Sequence, residues 1–311
     1  MDLTSAGADK VVERQAIGRP HGTPGEGRVM MFESAGLLLA DVGTQEDIII
    51  ADNLPYLWSD LHARRIALGL QAEDLARVLG VGLTKLRSRE TGALSVGPYL
   101  AEELIAMEDF VSAVAAETIA SAADAGTVIL RAVVDQHEFD AVYPEAGTLR
   151  DHARYPAALH HVAVGRAAAE LGRRDRDVTV DRGGRRADMM VRRAATGLGK
   201  NEAAALFDVN IKSYYNAERG TRPPSPALLA ELQALDDFIA ATASRLHVVD
   251  DGDLSTVLIL DDQREFERTY PMARTLRGGV PYPDRVEAVA AVRRAQELKD
   301  AGRTVRIAVA E

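Results

Sequence analysis

The chain contains no cysteine, so disulfides, thiolate nucleophiles and cysteine-ligated zinc are excluded together. It has no long apolar run either. Stretches such as Gly36 to Ala40 and Ile48 to Ala51 fall far short of the roughly 18 residues a membrane span needs. An excess of positive charge is also missing: 37 Lys and Arg stand against 47 Asp and Glu, a formal net charge of −10. A protein that coats nucleic acid over its whole surface would be basic, so any nucleic-acid site here has to be a local patch. No apolar signal segment opens the chain, no glycine-rich phosphate loop appears, and no nucleophile–base–acid set can be assembled. The expectation is a non-enzymatic cytoplasmic protein with no cofactor, no metal and no membrane contact. His152, His160 and His161 do not change it, because adjacent histidines on a helix point apart and few carboxylates stand near enough to complete a metal shell.

What is present is repetition. Of the 311 residues 47% are apolar, enough for a packed core, and the length suits two domains. Displaced by 128 positions, Ala76, Val81, Glu90, Gly92, Pro98, Leu100, Leu104, Asp109 and Phe110 fall on Ala204, Val209, Glu218, Gly220, Pro226, Leu228, Leu232, Asp237 and Phe238. After a one-residue adjustment, Gln136, Phe139, Tyr143, Thr148-Leu149-Arg150 and Tyr155-Pro156 fall on Gln263, Phe266, Tyr270, Thr275-Leu276-Arg277 and Tyr282-Pro283. Chance supplies alanines in such a chain, but not a register of Gly, Pro, Tyr and Phe held over a hundred positions. The sequence therefore reads as one unit written twice.

Each unit opens with short apolar segments broken by glycine (Gly69, Gly80 and Gly92; Gly197 and Gly220) and continues in a long helical segment, Tyr99 to Ala123 in the first. The period then changes. Strands are expected at Thr127 to Val134, Val178 to Val180, Thr256 to Leu260 and Val305 to Val309. Helices are expected at Gln136 to Val142, Ala157 to Leu171, Arg264 to Tyr270 and Asp284 to Lys299. The fold class is α+β, mainly helical: two copies of a helix-turn-helix module with a small α+β domain, related by a pseudo-twofold. Boundaries follow as 1–28 for a flexible tail, 29–56 for a β-hairpin extension, 57–181 for the first repeat and 182–311 for the second. The modules span 57–123 and 186–246, and the α+β parts 126–181 and 253–311. The link Gly172 to Arg186 carries six arginines and a Gly-Gly, and reads as a phosphate contact or as a solvated flexible linker.

Short helices joined by tight turns meet the needs of helix-turn-helix. One helix supports, a sharp turn follows, and the next helix presents an exposed face to the major groove. In the second copy these are Asn201 to Phe207, Asp208-Val209-Asn210 and Ile211 to Arg219. Ala204 permits close crossing, Val209 plugs the core, and Tyr214 is buried while Tyr215 faces outward. In the first copy they are Glu73 to Leu79, Gly80-Val81-Gly82 and Leu83 to Arg89. The string from Asn210 to Pro224, with its Glu218-Arg219-Gly220, resembles the Cro/repressor-type (XRE) helix-turn-helix. More closely, it is similar to the anti-CRISPR-associated repressors of phages and mobile elements, which pair such a module with a small C-terminal α+β dimerisation domain. The resemblance spans each repeat, about four fifths of the chain.

That resemblance implies base contacts from Lys212, Ser213, Tyr215 and Asn216, and from Thr84, Lys85, Arg87 and Ser88. Glu218 and Glu90 match its structural glutamate. The first copy departs from the pattern, with Arg89 where a packing residue is usual and Leu83 and Leu86 replacing polar or aromatic ones, so the second copy is the better reader. Phosphate contacts are expected from Arg192, Arg219, Arg222, Arg64 and Arg89. Asp60 to Val96 and Asp188 to Pro224 each carry six basic and four acidic residues, +2 apiece, leaving −14 for the remainder. The implied function is a sequence-specific DNA-binding regulator, a repressor, working on double-stranded DNA as an intramolecular pseudo-dimer, with a further homodimer left open. The alternative is a protein-interaction module or inhibitor whose helix-turn-helix no longer reads DNA; an RNA leader is a third candidate partner.

Overall fold

The computed structural model describes residues 56–122 and 127–310. The tail and the β-hairpin extension expected before Tyr56 lie outside the described residues. The described chain is a mixed α+β fold, mainly helical. Its elements run α1 (Trp58–Ala67), α2 (Ala72–Val78), α3 (Leu83–Glu90), α4 (Pro98–Ser121), β1 (Thr127–Arg131), α5 (Gln136–Val142), α6 (Ala158–Arg173) and β2 (Asp177–Asp181). Then come α7 (Asp188–Ala195), α8 (Lys200–Leu206), α9 (Ile211–Glu218), α10 (Pro226–Ala243), β3 (Val248–Asp251), β4 (Leu254–Ile259), α11 (Gln263–Thr269), α12 (Arg285–Asp300) and β5 (Thr304–Val309).

Local chemistry sets these boundaries. Gly92 and Gly220 sit at φ 75° and 67° just past α3 and α9, where a left-handed residue closes the helix at no steric cost. Asp135 and Asp262 cap α5 and α11 by accepting the N–H of Glu138 and Glu265. Phe139 and Phe266 on these helices enter matching aromatic clusters, with Phe110, Tyr143 and Tyr155 in the first half and Phe238, Tyr270 and Tyr282 in the second.

Two sheets form. β1 pairs in parallel with β2, and β4 in parallel with β5. A third strand, β3, was not expected from the sequence; it lies antiparallel on the outer edge of β4. Nothing among the described residues pairs with that edge of β1. Ile129 on β1 is consequently 72% exposed, whereas Thr256, its counterpart on β4, is 7% exposed.

The Arg-rich link is not a free linker. Arg173 ends α6 and binds Asp236 on α10, β2 follows, and the Gly183-Gly184 turn is held by both N–H groups donating to the Asp181 carboxylate. A local acceptor and a strand partner satisfy a backbone that its composition alone marks as mobile.

An α+β dimerisation domain of the kind the resemblance implies would bring the two α+β parts together as the core of the pseudo-twofold. Instead, α1 packs on α12 and β5, while α7 packs on α6 and β2. The crossing of α6 with α7 is close: a Cβ on Gly165 would stand 2.1 Å from the Val191 carbonyl oxygen. Where α1 crosses α12 the volumes are exchanged, Val292 taking the place of Gly165 and Ala63 that of Val191, both buried. Buried charges line this region. Arg64 donates to Glu108, Arg293 to Asp236, and Arg293 also reaches the Ala195 carbonyl.

Candidate nucleic-acid interface

Three helices of the second half build the better-formed surface. Residue Asp208 takes φ 49° in the turn after α8, and Val209 packs inward. The Asn210 side chain caps α9 by accepting the Lys212 and Ser213 N–H groups at 3.0 and 3.3 Å. Tyr214 is fully buried against α8, beside Ala204. Burial pushes its hydroxyl pKa up, and that hydroxyl has no hydrogen-bond partner. The last turn of α9 is tied to α7 by Arg193, which donates to Glu218 and, at 2.6 Å, to the Leu198 carbonyl. With one side of α9 committed, the other is turned outward: Lys212 and Ser213 are exposed, and Tyr215 and Asn216 half-buried. Tyr215 is braced, donating to Asn201 Oδ1 at 2.6 Å with Lys200 Nζ 5.9 Å from its ring centroid.

The first half places α2, its turn and α3 in the same register. Gly80 takes the left-handed position of Asp208, and Leu86 the buried position of Tyr214. Arg65 donates to Glu90 and to the Leu70 carbonyl as Arg193 does to its partners. The outward face differs. Thr84, Lys85 and Arg87 are exposed and Ser88 half-buried, but Arg87 is tied to Glu73 at 2.6 Å, replacing the Tyr215–Asn201 brace. Gly82 offers no side-chain cap where Asn210 does. Arg89, read as displacing a packing residue, lies half-buried and donates to the Ser95 carbonyl at 3.0 Å.

Arg219 and Arg222 stand exposed beyond α9. Two other expected phosphate ligands do not. Arg64 is 3% and Arg192 8% exposed, with Arg64 on Glu108 and Arg192 donating to Gln233 Oε1 at 2.7 Å. Both lie on the inward face of a helix whose partner supplies an acceptor, so neither is available to a phosphate, and both assignments are withdrawn. One cation of the Arg-rich link, a segment read as a phosphate contact or as a solvated linker, sits closer. Gly220 leaves no room for a Cβ against Arg186 O (2.4 Å) and the Arg185 side chain, so exposed Arg185 joins Arg219 and Arg222 at the end of α9. Only the clustering of arginines in the link hinted at it.

His160 and His161 bind the backbone: the Val133 N–H donates to His160 Nδ1 and His161 Nε2–H donates to the Val133 carbonyl. Among the described residues no group of three or more His, Asp or Glu could hold a metal ion, and no helix is long and apolar enough to cross a membrane. No family model matches this chain, and the curated proteins searched contain no match to it.

Proposed function

We propose that the chain is a tandem duplication whose two helix-turn-helix modules bind the two half-sites of one DNA operator, and that it acts as a transcriptional repressor. The observation that carries the reading is the division of α9 into a fastened side (Tyr214, Glu218) and an outward side (Lys212, Ser213, Tyr215, Asn216) flanked by Arg185, Arg219 and Arg222. Side chains of this kind, at the front of a rigidly backed short helix, suit base edges, and the flanking guanidinium groups suit phosphate.

The pairing of the modules is supported by reciprocity. A Cβ on Gly69 would approach Val162 and Ala194; a Cβ on Gly197 would approach Val289 and Ile66. Each contact is the other with the halves exchanged, which is how an isologous twofold interface behaves. In this reading a symmetric dimer has been joined into one polypeptide. Because the outward residues of α3 differ from those of α9, the half-sites differ and the operator is an imperfect palindrome.

Selection from random double-stranded DNA, followed by titration of the recovered site at two salt concentrations, tests the reading. Specific binding that weakens with salt and is abolished by Lys212→Ala/Asn216→Ala is expected. A salt-insensitive interaction, or failure to enrich any sequence, overturns it. The acidic net charge of −10 and the neutralisation of Arg87 by Glu73 favour a protein partner as the second reading, one those substitutions would leave intact.

A further inference from the structure

The segments 147–154 and 274–281 make the same loop twice. Bridges Gly147↔Arg154 and Arg274↔Pro281 close their roots. Thr148 Oγ1 accepts the Ala153 N–H and Thr275 Oγ1 the Val280 N–H, each at 2.9 Å. At the tips a buried carboxylate takes two successive main-chain donors. Glu103 receives Leu149 and Arg150 at 2.9 and 3.1 Å, and Glu231 receives Leu276 and Arg277, both at 2.8 Å. A short loop with threonine, two N–H groups and a buried acceptor all engaged is rigid.

Rigidity accounts for the threonine and for the backbone, but not for the two side chains that follow. Leu149 and Leu276 are 59% and 64% exposed, and Arg150 and Arg277 are exposed beside them. Arg150 rests over the Tyr99 ring at 5.8 Å, and its nearest carboxylate, Asp151, stands 4.0 Å away in solvent. The remainder of the loop has diverged: Asp151-His152-Ala153 in one half is Gly278-Gly279-Val280 in the other. Within the Thr-Leu-Arg that recurs, the leucine and arginine side chains stay exposed in both halves, and the contacts Arg150 makes with Tyr99 and Asp151 lie at the surface.

Location suggests their ligand. Glu103 and Glu231 lie in the second turns of α4 and α10, the ends that follow directly on α3 and α9. Each loop therefore belongs to the module end of its long helix. Recurrence suggests the ligand's chemistry. The outward residues of α3 and α9 differ, as contacts to different bases would, whereas the loop tips are the same, so they suit what two unlike half-sites have in common. In DNA that is the sugar–phosphate chain.

We infer that the Thr-Leu-Arg loops are a second contact of each half with the duplex, Arg150 and Arg277 on backbone phosphates flanking the bases read by α3 and α9, and Leu149 and Leu276 against deoxyribose. This rests on the DNA-binding reading above. The test compares the full chain with Arg150→Gln/Arg277→Gln and Arg150→Lys/Arg277→Lys, on the selected operator and on random duplex across a salt series. The Gln variant should lose affinity on the order of tenfold or more on both duplexes alike, with the salt slope reduced by about 2, and footprint protection should recede at both flanks. The Lys variant should keep the slope. Thermal midpoints should move little, since the contacts Arg150 makes in the fold are exposed ones of small worth. Wild-type affinity and slope in the Gln variant, while Lys212→Ala/Asn216→Ala still abolishes specificity, overturn the inference and leave the DNA reading standing. Loss confined to the operator assigns the arginines to bases and also overturns it. Absence of DNA binding by the unsubstituted chain removes both.

Discussion

The Ile307 N–H donates to Asp60 Oδ1 at 2.8 Å across 247 positions of sequence. A second bond of the same kind, Val180 N–H to Asp188 Oδ1 at 3.0 Å, spans only eight. In both, the aspartate of an opening helix seals the outer edge of a closing strand. The strand precedes its helix directly in one instance and ends the chain in the other. Helix α1 therefore packs on both halves: Ala63, Ile66 and Ala67 share a buried cluster with Val286, Val289 and Val292, while Leu61 joins Leu100 and Leu104 of the first half. Several substitutions test this arrangement.

Gly165→Ala should destabilise strongly. The added methyl meets a backbone oxygen, Val191 O, which can yield only if α6 and α7 separate. A loss of about 2–4 kcal/mol in urea unfolding is expected. A variant as stable as the parent would mean that the two helices do not cross so closely.

Glu218→Ala should cost about 3 kcal/mol, because Arg193 would remain largely buried with its charge uncompensated. The double variant Arg193→Met/Glu218→Leu should recover much of that loss, since an apolar pair avoids the desolvation of both ions. Equal loss in the single and double variants would show that the pair itself stabilises the module.

Tyr214→Phe should be neutral or stabilising by up to about 1 kcal/mol, the buried hydroxyl being without a partner. Leu86 already fills the matching position of the first half without any polar atom. A marked fall in the thermal midpoint would contradict this.

The fourth expectation concerns pH. Burial holds His160 at a pKa of about 4, below its ordinary 6.5, where its Nδ1 accepts the Val133 N–H. Below pH 6.5 the unfolded chain takes up a proton that the native histidine refuses until about pH 4, so stability drains away over that window. His160→Gln, which keeps an acceptor but does not titrate, should lose less between pH 7 and 4.5, by on the order of 2 kcal/mol. Parallel stability curves for parent and variant would rule this out.

Much of the helical framework was legible because its determinants are local. Gly80, Gly92, Gly197 and Gly220 punctuate the short helices, and Gln136 to Val142 was expected as a helix over the bounds it takes. Strand β3 was not legible: four residues, Val-Val-Asp-Asp, carry too short a pattern to reveal that an edge awaits them. The burial of Arg64 depends on Glu108, 44 positions away, and arginine composition alone argues for solvent. Burial of Arg192 likewise needs Gln233 and the groove between α6 and α10. The exchange of opening helices was invisible for a further reason: repetition in a sequence says that two units are alike, not which half each helix packs against. Arg185 was not singled out within its link, and the recurring Thr-Leu-Arg was read only as a mark of repetition, because their surroundings are assembled from distant segments.

Gly197 leaves no room for a methyl group between Ile66 and Val289, and this fixes how α7 sits against α1. Among the described residues the halves touch through this close-packed contact, which opposes their moving apart. Under the proposed function, inserting a single base pair at the operator's centre, which moves one half-site by about 3.4 Å and turns it about a tenth of a revolution, should weaken binding even with every contacted base unchanged. The protein would then select the length of its target as strictly as its letters.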